Sequence, residues 1–196
     1  MRSILVWSWR LCRVMLAPIA AGVIAVTGSL LYLGPRLPSV DVLRDIRFQE
    51  PLRVYSRDGL LMGEFGEMRC TPVRFEQIPQ VLIQAMLAAE DDRFLSHHGV
   101  DFGGLTRAAW ELATTRSIQS GGSTITMQVA RNYFLSRDQT FVRKFNEILL
   151  ALQIERELDK QQILELYLNK IFLGYRAYGV EAAAQVYYGR PIQQLS

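Results

Sequence analysis

An acidic run near the middle of the chain, EDDRFLSHHGVD at residues 90–101, holds the first side chains that could do chemistry. Glu90 continues the apolar face of the helix predicted before it, so we expect its carboxylate at the edge of the core. The partial negative charge of a helix C-terminus and the adjacent Asp91 and Asp92 disfavour ionisation there. A carboxyl group in such surroundings suits a general base or acid near neutral pH. The alternative is a solvated acidic helix end that pairs with Arg93.

Two adjacent histidines in the same run, His97 and His98, are weak candidates for a metal site. Neighbouring side chains rarely chelate one ion, and no third ligand stands at a suitable spacing. We therefore favour a hydrogen-bonding histidine in a turn. The sequence requires no cofactor and shows no closed metal site, although its carboxylates are compatible with a divalent cation such as Mg or Mn.

A glycine-rich run, SGGSTITMQVARN at residues 120–132, places a Gly-Gly loop before a predicted helix. The free N–H groups of a first helical turn bind phosphate groups. Hydroxyls in that turn and two donors further along the helix could add contacts, namely Ser123, Thr124, Thr126, Gln128 and Arg131. The run is not a Walker A loop, because no lysine follows the glycines in the required place. An ordinary glycine loop followed by an N-cap is the alternative.

A third run, RKFNEILLALQIE at residues 143–155, places two carboxylates and a lysine on one face of a predicted helix. Lys144, Glu147, Ala151 and Glu155 follow the helical spacing i, i+3, i+7 and i+11, and Arg143 stands four residues before Glu147. The small Ala151 leaves room between the two carboxylates. A solvated face of ion pairs, each worth a few tenths of a kcal/mol, is the alternative.

Apolar periodicity predicts six helices that would position these runs. The first begins at Ile78, with an apolar face of Ile78, Val81, Leu82, Ala85, Met86 and Ala89. The second predicted helix begins after Asp101 and the third after residues 121–122. The fourth, fifth and sixth cover about 140–158, about 160–173 and 177–188. Gly174 is the expected C′ glycine of the fifth helix. The strand signal lies in residues 52–75, where two β-type runs flank a turn at residues 57–59. The pattern predicts a mainly α domain with a small β-hairpin appendage.

An uncharged run of 20 residues, 14–33, predicts one N-terminal transmembrane helix, since a helix of this length spans ~30 Å. Arg2, Arg10 and Arg13 precede the run, so the positive-inside rule places residues 1–13 in the cytoplasm. A cleaved signal peptide is the alternative. Trp110, in the second predicted helix of the body, either dips into a membrane interface or is buried.

The formal net charge of +3 is unevenly placed along the chain. Residues 1–37 hold four arginines and no acidic residue, which leaves 18 basic and 19 acidic residues in the remainder. A nearly neutral body argues against nucleic acid as a partner. The two cysteines, Cys12 and Cys70, are too few for a disulfide framework or a zinc site.

The three polar runs, taken in chain order, resemble the motifs of the peptidoglycan glycosyltransferases, the glycosyltransferase domains of class A penicillin-binding proteins. E-D-x-x-F-x-x-H-x-G matches at residues 90–99, G-x-S-T-I-T-x-Q at 121–128 and R-K-x-x-E-x-x-x-A-x-x-x-E at 143–155. A fourth stretch, residues 163–189, is also similar to the family, as are the PLRVYSRDG stretch and the predicted anchor. The resemblance covers essentially the whole chain.

The resemblance implies a mainly helical, lysozyme-like fold and the polymerisation of lipid II into glycan strands. The transfer inverts the anomeric carbon and releases undecaprenyl diphosphate. Glu90 is then the general base on the acceptor 4-hydroxyl, and Glu147 is the second catalytic carboxylate, beside the leaving diphosphate. The residues expected to bind substrate are Asp91, Phe94, His97, Ser123, Thr124, Thr126, Gln128, Arg131, Arg143 and Lys144.

The expected organisation is a cytoplasmic segment at 1–13, the anchor at 14–33, a linker at 34–51 and the glycosyltransferase domain at 52–196. Because the chain stops before the fifth motif of the family, we expect a C-terminally incomplete domain, the N-terminal fragment of a longer protein. The expected location is the bacterial inner membrane, with the domain on the periplasmic face. Expected partners are lipid II, the growing glycan strand, the membrane and other cell-wall synthesis proteins.

Two other functions remain open at this point. A lysozyme-like enzyme that cleaves glycan shares the helical fold and the catalytic glutamate, but it does not need a diphosphate site. An inactive, truncated membrane-anchored scaffold is the non-enzymatic alternative.

Overall fold

Helices account for most of the structure, a computed structural model that describes residues 27–28, 34, 37–46, 52–65, 69–116, 122–135 and 141–195. The α-helices in these ranges are α1 (Gln80–Glu90), α2 (Phe102–Thr115), α3 (Ile125–Phe134), α4 (Phe141–Glu157), α5 (Lys160–Lys170) and α6 (Val180–Tyr188). The strands are β1 (Leu52–Tyr55), β2 (Leu61–Phe65), β3 (Arg69–Cys70) and β4 (Ala177–Tyr178). Short 3₁₀ helices cover Val40–Asp45, Phe75–Gln77 and Ile192–Gln194. The prediction of a mainly α domain is confirmed.

The predicted hairpin is confirmed as an antiparallel pair of β1 and β2. Its register pairs Leu52 with Phe65 and Tyr55 with Leu61, with an irregularity between Val54 and Tyr55. Gly59 adopts φ +79° in the turn, a conformation that glycine adopts without steric cost. A second, parallel pair of β3 and β4 was not predicted. Each of these strands has two residues, too few for a period-2 pattern.

The core lies where α3 packs against α4 and α5. Fully buried apolar side chains from all three helices meet there, among them Ile125, Val129, Leu150, Ile154, Ile163 and Leu168. Thr124 is the N-cap of α3, and its hydroxyl accepts the backbone N–H of Met127 (3.2 Å). An N-cap of this kind satisfies an N–H group that otherwise has no partner in the helix. The predicted helix after the Gly-Gly loop is therefore confirmed, with Thr124 as its cap.

The predicted apolar face of the first helix is wrong in part, since Ile78 is buried and Leu82 and Met86 are half-buried but the rest of the face is exposed. Ile83 is the residue of α1 that is buried, whereas Val81 is 73% exposed and Ala85 and Ala89 are also exposed. The cause is composition: the sequence VLIQAMLAA is apolar almost all round the helix. Periodicity can identify a buried face only where the opposite face is polar. The orientation of this helix depends on its packing.

The end of α5 also differs from the prediction. The helix ends at Lys170, because Ile171 is extended (φ −59°, ψ 134°). Gly174 has φ +89° but is not the C′ residue; its carbonyl accepts the N–H of Ala177 in the turn that leads to β4. The last predicted helix begins at Val180 rather than at residue 177, and it ends at Tyr188, followed by the C-cap Gly189 with φ +64°.

The predicted anchor, residues 14–33, lies outside the described residues except for 27–28. Among the residues that the structure describes, no helix is both long and apolar enough to cross a membrane. Residues 39–196 form one compact unit. In the predicted linker, Arg44 of the first 3₁₀ helix donates to the backbone carbonyl and the carboxylate of Glu157 in α4, both at 2.9 Å.

Asn169, at the end of α5, joins that helix to the segment after β3. Its Oδ1 accepts the N–H of Val73 (2.9 Å), and its Nδ2 donates to the carbonyl of Val73 (2.8 Å). The side chain is 1% exposed. Without it, two backbone groups of Val73 would lose their partner in a buried place.

Replacing Asn169 should therefore destabilise the domain. We expect Asn169→Leu, which can neither donate nor accept, to lower the free energy of unfolding by about 1–3 kcal/mol. Asn169→Asp should also destabilise, because its carboxylate would face the Val73 carbonyl. Urea unfolding followed by circular dichroism measures both. Asn132→Asp, at an exposed position of α3, is the control. An Asn169→Leu variant as stable as the parent would contradict the prediction.

Candidate active site

Glu90 ends α1 with its carboxylate facing α3. Its Oε2 accepts the Nε2 amide hydrogen of Gln128 (2.9 Å), and the Gln128 carbonyl lies 3.5 Å from Nη2 of Arg131. Three predicted site residues therefore form a chain across two helices. Glu90 itself is exposed, so the prediction that it lies desolvated at the core edge is wrong. Burial raises the pKa of the neighbouring Tyr167 hydroxyl, and the negative charge of Glu90 raises it further.

Asp91 anchors the loop that follows Glu90. Its Oδ2 accepts the backbone N–H of Ile125 in the first turn of α3 (3.0 Å). The same oxygen lies 2.9 Å from Nε2 of His97. Asp91 is 8% exposed, so its carboxylate acts inside the protein, between the loop and the helix N-terminus. The prediction of a hydrogen-bonding role for His97 is confirmed.

Phe94, in the same loop, is fully buried. Its ring meets the His97 ring edge-on, with 6.0 Å between the centroids. Nζ of Lys160 lies over the same ring, 4.3 Å from the centroid. Phe94 therefore packs inside the protein against His97 and Lys160, and these contacts help to set the conformation of the loop.

Glu147 lies at the centre of a second cluster, where it is 1% exposed. Nζ of Lys144 donates to its Oε2 (3.1 Å), and Nη1 of Arg143 lies 3.6 Å from its Oε1. Lys144 also donates to the hydroxyl of Ser123 (2.7 Å), which connects α4 to the loop before α3. The alternative of a solvated face of ion pairs is therefore wrong for Glu147.

The two threonines of the second motif are buried, and their hydroxyls have partners within the protein. Thr124 donates to the carbonyl of Gly99 (2.6 Å), and Thr126 donates to Oε1 of Glu155 (2.7 Å). Both side chains thus fix the start of α3 against neighbouring segments.

A cavity of about 230 Å³ is lined by residues from the end of α1 and from the segment before α3. Its walls are formed by Ala88, Ala89, Glu90, Asp91, Asp92, Asp101, Gly104, Arg107, Gly122, Ser123 and Thr124. Glu90 lies on its border, and so does Ser123, which accepts from Lys144. A ligand here would therefore meet the exposed carboxylate of Glu90 at one point and, at another, the Ser123 hydroxyl that accepts from Lys144.

Comparison with known protein families assigns the chain that carries this site to one of them. The family model described as Transglycosylase matches residues 58–196, which include both clusters and the cavity. The chain belongs to the transglycosylase family. This transglycosylase is 64% identical to penicillin-binding protein 1A of Pseudomonas aeruginosa over 170 residues, which cover 87% of this chain and 21% of that protein. It is 50% identical to penicillin-binding protein 1A of Escherichia coli K12 over 178 residues, 91% of this chain and 21% of that protein.

The transglycosylase therefore spans about a fifth of the length of these curated relatives. A 2.6 Å crystal structure of penicillin-binding protein 1A from Haemophilus influenzae matches 76% of this chain and 13% of the solved one. The identity there is 33%, and the TM-score is 0.35. The predicted membership of the glycosyltransferase domains of class A penicillin-binding proteins, and with it the enzyme class, is confirmed.

The transglycosylase site offers poor ligands for a divalent cation. Within the described ranges, no three His, Cys, Asp or Glu side chains are grouped so as to hold a metal ion. Glu147, the carboxylate that the resemblance places beside the leaving diphosphate, already faces Arg143 and Lys144. A cation there would compete with two positive charges, so we derive no step through a metal.

Three residues outside the predicted site set belong to this arrangement in the transglycosylase. Arg107 of α2 lines the cavity. Glu155 accepts from Thr126, and Lys160 donates to Glu155 (2.7 Å). The third motif includes Glu155, but spacing alone gave it no partner. Arg107 and Lys160 carry no local signal, because a single basic residue on a helix is most often solvated.

Gly99 allows the loop after Glu90 to approach α4 in the transglycosylase. It has φ +83°, and a Cβ at this position would lie 2.7 Å from the carbonyl oxygen of Ala151. We expect Gly99→Ala to lower the free energy of unfolding by about 2–3 kcal/mol, since it combines an unfavourable φ with overpacking. Thermal unfolding measures the loss. Gly59→Ala is the control, because its φ is +79° but nothing lies within 4 Å of the added Cβ. Equal losses in the two variants would exclude the close approach as a cause.

Proposed function

We propose that this chain polymerises lipid II into peptidoglycan glycan strands. Two observations support the proposal: membership of the transglycosylase family, and a cavity lined both by the exposed Glu90 and by Ser123, whose hydroxyl accepts a hydrogen bond from Lys144. An inverting glycosyl transfer needs a base for the acceptor and charge stabilisation for the leaving group. The cavity between Glu90 and Ser123 is the observation that carries the proposal.

In the proposed step, Glu90 acts on the acceptor. Its carboxylate takes the proton of the sugar 4-hydroxyl while that oxygen attacks the anomeric carbon of the donor. The new glycosidic bond forms as the bond from that carbon to the diphosphate breaks, with inversion. Glu90 suits this role because it is exposed at the cavity and its orientation is held by Gln128. Only one of its two oxygens is engaged by that amide.

The cluster around Glu147 serves the leaving group in the same step. Negative charge grows on the undecaprenyl diphosphate as the bond breaks, and fixed cations stabilise such charge. Lys144 and Arg143 are held in place by Glu147, and Lys144 reaches the cavity wall through Ser123. Arg131 and Gln128 supply further donors near Glu90.

We place the domain on the periplasmic face of the bacterial inner membrane, held by the predicted anchor at residues 14–33. A lipid-linked substrate requires an active site close to the bilayer. Trp110 and Phe102 on α2 are 72% and 66% exposed, so the alternative that Trp110 is buried is wrong. Its contact with a membrane interface is part of the proposal. Other cell-wall synthesis proteins are the proposed partners, and nucleic acid is not.

Incubation of the detergent-solubilised chain with labelled lipid II tests the proposal. Glycan polymer resolved by gel electrophoresis is the expected result. Cleavage of preformed glycan strands without polymerisation would instead support the lysozyme-like alternative. If neither product forms while the longer parent protein is active, the result supports the inactive-scaffold alternative and contradicts the proposed function of this chain.

A further inference from the structure

Lys160, the first residue of α5, contacts two other segments of the site, the loop after Glu90 and the end of α4. Its Nζ donates to the backbone carbonyl of His97 and to Oε1 of Glu155, both at 2.7 Å. It also lies over the ring of Phe94, 4.3 Å from the centroid. A lysine ammonium has three hydrogens to donate and prefers the face of an aromatic ring, so all three contacts suit it.

Glu155 is the counter-ion that fixes this ammonium group. Its side chain is 7% exposed, and the same Oε1 accepts the hydroxyl of Thr126 in α3. A carboxylate buried to this extent needs a positive partner, because removing one member of such a pair leaves an uncompensated charge. The pair therefore joins the end of α4 to the start of α3 and, through Lys160, to the loop.

The loop between Glu90 and His97 is held at both ends. Asp91 holds its first residue by accepting the N–H of Ile125. Lys160 holds its far end at the His97 carbonyl, and His97 in turn contacts Asp91 through its ring. The Asp91 contact fixes the loop directly to α3, the helix that carries Gln128, and the Lys160 contact joins it to α3 through Glu155 and Thr126.

We infer that Lys160 is a positioning residue for Glu90. By fixing the loop that follows Glu90 against α3, it keeps the Glu90 carboxylate at the Gln128 amide and at the cavity. This role rests on the proposed function, since it matters only if Glu90 reacts with substrate. Small displacements of a catalytic group reduce the rate strongly, by about 10²-fold for ~1 Å.

The test separates positioning from folding by comparing variants of the detergent-solubilised chain. Lys160→Met keeps the aliphatic stem over Phe94 but loses both donated hydrogen bonds. It should lower kcat with lipid II by at least about tenfold, with KM changed less than about twofold. A second variant, Lys160→Met with Glu155→Gln, removes the uncompensated charge, so it should regain thermal stability while kcat stays low. Lys170→Met is the matched control, because Lys170 lies at the other end of α5 and over the ring of Tyr133.

Two results would overturn the inference: a kcat for Lys160→Met within about twofold of the parent, or recovery of kcat together with stability in the double variant. All rates are measured at a temperature where each variant is folded. Glu90→Gln, assayed in parallel, distinguishes this failure from failure of the proposed function. If Glu90→Gln keeps its activity, Glu90 is not the base and the proposed mechanism fails. If only Lys160→Met keeps its activity, the positioning role alone fails.

Discussion

Glu90→Gln should reduce the initial rate of lipid II polymerisation by about 10²–10⁴-fold, the usual contribution of a general base. Glutamine has nearly the shape of glutamate, and its carbonyl can still accept the Gln128 amide hydrogen, but it cannot take a proton from the acceptor hydroxyl. Because Glu90 is exposed, the midpoint of thermal unfolding should stay within about 2 °C, as for most surface substitutions. Polymer formation over time and circular dichroism on heating give the two quantities.

Asp92→Asn is the matched control for Glu90→Gln. Asp92 is exposed, lines the same cavity and loses the same charge on substitution. Its rate should stay within a few-fold of the parent. An equal loss in both variants would mean that the negative charge of the cavity, and not proton transfer to Glu90, supports the reaction.

Glu147→Gln should also lower the polymerisation rate strongly, by about 10²–10³-fold, the range for losing one group that organises charge stabilisation. A neutral amide cannot hold two cations, so Arg143 and Lys144 would move apart, and Lys144 would lose its fixed position at Ser123 on the cavity wall. The fold should tolerate the change, because the side chains of Arg143 and Lys144 are 20% and 37% exposed and reach water. Steady-state kinetics with lipid II should show the loss mainly in kcat, since the charge develops in the transition state.

Lys144→Met makes the converse change and should affect stability more. It leaves the buried Glu147 with Arg143 at 3.6 Å as its remaining ion-pair partner. Removing one partner of a buried charge costs up to about 3–5 kcal/mol.

The control for Glu147→Gln is Glu157→Gln, which alters an exposed carboxylate at the end of the same helix and should leave the rate unchanged. A Glu147→Gln variant with more than a third of the parent rate would refute the assigned role.

Local features of the structure could be predicted because they depend on neighbours along the chain. The hairpin turn at residues 57–59 follows from its Asp-Gly pair, and the position of α3 from the Gly-Gly loop before it. Helical spacing placed Lys144 and Arg143 within reach of Glu147, where both are found. The order and spacing of the motifs identified the family before any contact was known.

Features that depend on depth and rotation could not be predicted in this way. Helix α1 is apolar nearly all round, so no pattern in it selected Ile83 as its buried residue or placed Glu90 in solvent. The expectation of a desolvated Glu90 assumed that a periodic apolar face is a buried face. That assumption holds only when the opposite face of the helix is polar.

The sequence by itself determined the family, the helical character and the grouping of each candidate carboxylate with its neighbours in the chain. Only the tertiary structure decided which groups meet across the chain. Thr126 with Glu155, Lys160 with His97, and Gln128 with Glu90 are separated by 29, 63 and 38 residues. Such pairs form when helices pack at particular depths and rotations, and close packing fixes these to a fraction of a side chain. The spacing of residues along the chain does not specify the depth or the rotation at which two helices pack.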